Sequence, residues 1–297
     1  MRTEYREEPC NTALNRVSGM GFDWSLNPYM GCAHRCTFCY VRAFELRADR
    51  PSDDRYGTSL RVKTNVAEVL RRELRRRSWK RETVVIGGAT DPYQPAEGRY
   101  RLTRGCIEAL SAARTPISII TRGPLIVRDI DVLAQASRRA PVTVNVSLPS
   151  LDLEVWRKTE PGTAPPRQRL RALRLLADAG IRTCVGVAPI LPGLTDSPVQ
   201  LGAVLSAARE AGACDVWCNV LNLRPGTREH FLTCLARDWP ELLPRYELLY
   251  ERPYLPQDEA EPIHRAFADL RGRYDIRDRR EVPLVSPPPE AQLALFG

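Results

Sequence analysis

The chain has 297 residues, 43% of them hydrophobic, with a formal net charge of +8 and a pI of about 9.2. That supplies one large core, and no apolar run approaches the roughly 20 residues of a membrane span. The charged start from Met1 to Glu8 has no apolar h-region, so no signal peptide is expected, and nine cysteines without an export signal point to reduced thiols in a cytoplasm.

In chain order, residues 1–23 read as an irregular lead-in. Trp24–Pro28 reads as the end of a first strand, with a cysteine-rich loop directly after it. Residues 41–60 read as a polar loop around Pro51–Asp54. Asn65–Lys80 has helical periodicity, with Val66, Val69, Leu70 and Leu74 on one side. A regular alternation follows: strand Thr83–Gly88 and helix Thr103–Ala113, strand Pro116–Thr121 and helix Leu125–Arg138, strand Pro141–Ser147 and helix Pro166–Ala179. It continues with strand Ile181–Ala188, helix Pro198–Ala211 and a sixth strand at Asp215–Leu221, and Gly180 and Gly212 punctuate two helix ends. Alternation at this spacing predicts an α/β fold with a parallel sheet and right-handed crossovers, a partial (β/α)6 TIM-type barrel open on one side. The expected organisation is a lead-in (1–23), the barrel (24–223) and a C-terminal extension (224–297). The extension is rich in Pro, charge and aromatics, packs on the barrel, and has a loosely held end of about 15 residues.

Sites in such barrels form at the C-terminal ends of the strands, and the least ordinary residues fall there. Cys32, Cys36 and Cys39 have C-x3-C-x2-C spacing. A [4Fe–4S] cube has four irons, so three loop thiolates leave one open to a small molecule. Radical enzymes that use S-adenosylmethionine (SAM) need such an iron. A zinc knuckle would need a fourth ligand, and the nearest candidate, His34, sits on a short tether inside the loop. Toward a bound SAM, Gly87 and Gly88 would let backbone carbonyls approach the methionine ammonium, and Thr90 would hydrogen-bond the methionine end. Arg122 would fork onto the carboxylate, Asn145 and Ser147 would reach the ribose hydroxyls, and Phe38 would lie against adenine. Ala188, at the end of strand five, completes the set. Taken singly, each is equally a turn glycine, a cap or a core residue.

The chain resembles the radical SAM superfamily, and within it the spore photoproduct lyase-like branch. The residues that carry the resemblance are Asn27–Tyr40, Thr90–Glu97 (T-D-P-Y-Q-P-A-E), Thr121–Asp131, Ser147–Asp152 and Ala188–Asp196, within about residues 20–230. The resemblance implies a [4Fe–4S] cluster on Cys32, Cys36 and Cys39, with SAM on the open iron and one electron from a flavodoxin- or ferredoxin-type reductant. It further implies a 5′-deoxyadenosyl radical that takes hydrogen from an unreactive carbon. Tyr40 keeps an aromatic found in the lyases and is the candidate radical relay. Three positions depart from the pattern. Gly88 stands where the lyases carry a hydrogen-donating cysteine, Phe38 lacks the hydroxyl of some lyases, and Arg122 replaces the usual lysine.

Branch and charge favour nucleic acid as the substrate. A peptide or small metabolite is the alternative, and a non-enzymatic Fe–S or zinc nucleic-acid-binding module is the alternative of another class. The densest basic run, Arg71, Arg72, Arg75, Arg76, Arg77, Lys80 and Arg81, is expected on one helix, as a solvated face or a phosphate contact. Cys10, Cys106, Cys184, Cys214, Cys218 and Cys234 read as core residues, with Cys214 and Cys218 on one strand face. His230 and His264 read as structural or surface residues.

Overall fold

The computed structural model describes residues 3–19 and 21–279. The lead-in is not irregular. It holds strands β1 (Glu4–Glu8) and β2 (Leu14–Arg16), ahead of β3 (Trp24–Leu26) and β4 (Tyr29–Met30). The polar loop likewise holds helix α1 (Arg42–Arg47) and strand β5 (Ser59–Lys63). β1 runs parallel to β5 and β4 antiparallel to it, in a small three-stranded sheet. β1 is almost all charge and faces water, so its pairing depends on a partner some fifty residues away, with Glu4 opposite Ser59. β5 carries its own signal, because Leu60 and Val62 alternate into the interior.

Helix α2 (Val66–Leu74) buries Val66, Val69 and Leu70, each contributing about 1.5–3 kcal/mol through removal from water. It ends well before Lys80, so only Arg71 and Arg72 of the basic run are helical. Then come β6 (Val84–Ile86), α3 (Pro95–Tyr100), α4 (Leu102–Ala112) and β7 (Ile117–Thr121). The expected helix at 125–138 starts as a 3-10 turn and becomes α5 (Ile130–Ser137). β8 (Val142–Ser147) leads to α6 (Leu153–Thr159), which was not anticipated. Its N-cap Asp152 accepts from the N–H groups of Glu154 and Val155. The alternation closes with α7 (Pro166–Asp178), β9 (Arg182–Ile190), α8 (Pro198–Glu210) and β10 (Asp215–Val220).

The six predicted strands are β3, β6, β7, β8, β9 and β10, and each lies parallel to the next. They form the centre of an eight-stranded sheet, with β2 antiparallel on one edge. Among the described residues the two edges do not pair with each other, so the barrel is open there. In β8, Val142, Val144 and Val146 join the core under the helices. Thr143, Asn145 and Ser147 alternate to the lumen side, which is why the lumen is polar.

The extension contains α9 (Thr227–Asp238), α10 (Leu243–Leu249), α11 (Gln257–Arg273) and β11 (Arg277–Asp278). β11 adds to the open edge, parallel to β10. Phe231, Leu235, Tyr246 and Tyr250 form a second apolar cluster with Leu191, Leu221 and Leu223, and this cluster includes Cys36 and Phe38. The extension therefore packs over the end of the barrel that carries the cysteines. Cys214 precedes β10 and is exposed, whereas Cys218 is buried in the strand, so the two do not share a face. The tail expected to be loosely held lies outside the described residues. Among the described residues no helix is long and apolar enough to cross a membrane.

Candidate active site at the cysteine loop

Cys32, Cys36 and Cys39 lie between β4 and α1, at the C-terminal end of the parallel strands, and all three thiols are free. The segment after β6 clamps this loop. Thr90 Oγ1 donates to Gly31 O (2.6 Å), and Gln94 Nε2 donates to the same carbonyl (3.2 Å) and to Thr90 Oγ1 (2.9 Å). The Ala33 N–H donates to Gln94 Oε1 (2.9 Å). Asp91 accepts from Thr121 Oγ1 (2.6 Å) and from the N–H groups of Arg122 (2.6 Å) and Tyr93 (2.8 Å). Its other neighbour is His34 Nδ1, at 3.3 Å, an ion-pair distance without hydrogen-bond alignment. Burial opposes both charges, yet the attraction between them and Asp91's donors hold the carboxyl below its ordinary range, while Asp91 and Cys32 together raise the imidazole. At the far end of the motif, buried Glu97 accepts from Tyr29 Oη (2.5 Å), Thr103 N–H (2.9 Å) and Arg128 Nη2 (2.8 Å). The T-D-P-Y-Q-P-A-E segment thus ties the cysteine loop to β7 and α4.

The loop is gripped from three further sides. Thr37 N–H donates to Thr159 O (2.8 Å) and Gly162 N–H to His34 O (3.0 Å). A Cβ on Gly162 would stand 2.3 Å from Ala33 O, and one on Gly57, which has φ of +77°, 2.2 Å from Cys32 O. Thr227 Oγ1, from α9, donates to Cys39 O (3.1 Å). Gly162→Ala must therefore shift the cysteine loop. It is expected to cost about 1–3 kcal/mol and to lower iron per chain after anaerobic reconstitution, checked by thermal melts and iron assay.

Several residues proposed as SAM contacts are engaged otherwise. Thr90 is committed to Gly31 and Gln94 rather than open toward a ligand. Arg122 turns its Nε to Glu160 Oε1 (2.7 Å) and its Nη2 to Ala188 O (3.0 Å), which joins two of the expected contacts to each other. The Arg122 guanidinium also lies 5.5 Å from the centre of the Phe38 ring, covering a face assigned to adenine, and Phe38 is itself buried in the second cluster. Asn145 donates to Ser118 Oγ (3.1 Å) and Ile119 O (3.0 Å) and accepts from Trp217 Nε1 (3.3 Å), which leaves little capacity for a ribose. Ser147 is buried at the end of β8, and its carbonyl accepts from Arg169 Nη1 (3.0 Å). Gly87 has φ of +97°, and a Cβ there would meet Ile120 O at 2.3 Å, so packing alone requires glycine. Gly88 has room, since a Cβ would meet only Ser25 Cβ, at 3.9 Å. Tyr40 donates its hydroxyl to the Gly88 carbonyl and packs edge-on against Phe44.

Sequence reasoning missed Glu160, which lies between Arg122 and Arg169 Nη1 (3.0 Å). Burial pushes its carboxyl up, but the two guanidinium groups outweigh that and hold it below the ordinary range. It also missed Arg42, whose side chain runs back under the cysteine loop. The basic run, expected on one helix, is only partly helical. Residues 75–83 lead into β6, and Trp79 Nε1 donates to Thr115 Oγ1 (3.1 Å) just ahead of β7. That is the opposite end of the sheet from the cysteines.

An open parallel α/β barrel with three free thiols on one loop at its C-terminal end has the donor set of a cluster with an unliganded iron. Comparison with known proteins is consistent with that class. Residues 26–201 match the family described as the Radical SAM superfamily, and the chain belongs to it. It is 44% identical over 296 residues to an uncharacterized protein of Mycobacterium tuberculosis, covering 98% of this chain and 86% of the relative. It is 31% identical over 173 residues to a protein of Pseudomonas phage M6 named radical SAM Nalpha-GlyT isomerase, covering 56% of this chain and 33% of the relative. In fold it is similar to spore photoproduct lyase complexed with dinucleoside spore photoproduct, with a TM-score of 0.68 at 14% identity, covering 91% of this chain and 79% of the other. Membership implies a [4Fe–4S] cluster, SAM and a source of electrons.

Proposed function

We propose that Cys32, Cys36 and Cys39 hold the cluster, that SAM binds beside them at the mouth of the barrel, and that the chain takes hydrogen from a carbon of a nucleic acid. The observation that carries the first part is the clamped loop of three free thiols. When bound, the cluster and SAM supply a 5′-deoxyadenosyl radical, given one electron from a flavodoxin- or ferredoxin-type reductant. The chain's own residues fix the loop and keep water out. The Asp91–His34 pair and Gln94 set the loop's position, and the apolar cluster around Cys36 and Phe38 screens one side. Tyr40, held to Gly88 at the lip, is the residue proposed to relay hydrogen. With glycine at position 88, no thiol there returns a hydrogen atom, so the outcome differs from that of the lyases this chain resembles.

The nucleic-acid reading draws on the likeness to a lyase complexed with a dinucleoside lesion, on the charge of +8, and on the rim of the site. Arg47 lies 4.8 Å from the centre of the Phe44 ring, at the end of α1, and Arg224 lies 5.7 Å from that of exposed Tyr254, just beyond β10. Paired arginine and aromatic side chains suit stacked bases and phosphates. The test is an anaerobic assay with deuterated single-stranded oligonucleotide, peptide or nucleoside. Deuterium is expected in 5′-deoxyadenosine only with the oligonucleotide. Transfer from the peptide or the nucleoside alone would favour the peptide or small-metabolite reading.

A further inference from the structure

We infer that Arg42 is the buried countercharge of the cluster, binding the cysteine loop by its carbonyls and making the cluster easier to reduce. This rests on the cluster assignment proposed above. Among the described residues two arginines, Arg42 and Arg169, are only 1% exposed. Arg169 is paired with Glu160 at 3.0 Å. Arg42 has no such partner among the described residues. Its guanidinium meets four backbone carbonyls: Ser52 O and Asp53 O at 2.6 Å each, and Cys36 O and Arg35 O at 3.4 Å each. It also lies 4.6 Å from the centre of the Tyr56 ring, and the Tyr56 hydroxyl stands 3.7 Å from Cys39 Sγ.

The nearby carboxylates are turned elsewhere. Asp53 faces Arg55, at 2.8 Å, and the exposed Asp54 lies 3.7 Å from His230. Carbonyl dipoles replace part of the lost water, but a full charge this deep costs several kcal/mol unless an anion faces it. The loop that Arg42 holds carries the three cysteines, and a cube on three thiolates has net negative charge, more so after taking up an electron. The charge that Arg42 lacks is therefore the charge that the cysteine loop would bring. Because reduction adds negative charge, a fixed cation here favours the reduced state.

The test uses the full chain, anaerobically reconstituted, as wild type, Arg42→Met and Arg42→Lys. Iron and acid-labile sulfide are assayed, and the midpoint potential is read by EPR-monitored titration. Arg42→Met should lower the equilibrium constant for electron uptake about tenfold or more, a shift of about 59 mV to more negative potential for a one-electron couple. Arg42→Lys should recover most of it. A Met variant that loads no cluster beside a Lys variant that does would also support the charge role. An unchanged midpoint in Arg42→Met, or equal failure of both variants to load, would overturn it, leaving only a structural role for the fork. A wild-type chain that binds no cluster would refute the parent assignment instead.

Discussion

Cys36→Ala is expected to leave a folded chain that retains little iron after reconstitution and yields no detectable 5′-deoxyadenosine. Cys36 is buried within the apolar cluster that includes Phe38 and Leu191, so trimming one sulfur costs the fold only about 1 kcal/mol. The loss should therefore come from the missing thiolate rather than from unfolding. Cys234→Ala provides the comparison. Cys234 is buried to a similar extent on α9, with His230 Nε2 3.6 Å from its sulfur, and its removal should leave iron loading intact. Iron per chain, circular dichroism and product yield, measured on both variants, separate packing from ligation. Equal iron in Cys36→Ala and wild type would refute the assignment of this cysteine.

Glu160→Ala is expected to destabilise the fold by about 3–5 kcal/mol, because it strands two guanidinium groups in the interior. Arg169 is fully buried and Arg122 largely so, and both depend on the same carboxylate oxygen. Against a typical stability of about 5–15 kcal/mol, that is a large fraction. The pH dependence follows from the sign of the shift. The folded-state carboxyl sits below the ordinary 4.5, so its contribution is complete above that value and is lost as pH falls through the lowered one. Wild type should therefore lose stability on acidification below 4.5, and Glu160→Gln should lack this component. Denaturant melts from neutral pH downward would show it. Parallel pH curves for the two proteins would exclude the ion pair as a source of stability.

The barrel was legible because its strands are short, mostly buried segments rich in β-branched residues that alternate regularly with helical periods, several ending in glycine or a polar turn. β1 and β2 were not, since charged and exposed edge residues carry no period, and the partner of β1 lies 55 residues away, Glu4 facing Ser59. The cysteine loop was legible from spacing alone. Its surroundings were only half legible. Sequence shows which residues stand at strand ends, but not what each one meets. Arg122 was read as a carboxylate binder, which it is, but the carboxylate is that of Glu160, 38 residues further on. Asn145 was read as a ribose contact, and sequence could not show that the indole of Trp217 reaches it from β10, over Gly186, where a Cβ would stand 2.6 Å from the ring. Gln94 lay inside the recognised T-D-P-Y-Q-P-A-E motif and was given no role, although it is wholly buried and bonded to both Gly31 and Ala33. Arg42 gave no sequence signal, because its partners are backbone carbonyls.

The central claim is that three clamped thiolates leave one iron open for SAM, and its most direct test is an anaerobic cleavage assay on the reconstituted wild-type chain. Under a low-potential reductant the expected result is a brown protein that converts SAM to 5′-deoxyadenosine and methionine in equal amounts. A colourless protein that holds one tightly bound zinc ion and leaves SAM intact would contradict the claim.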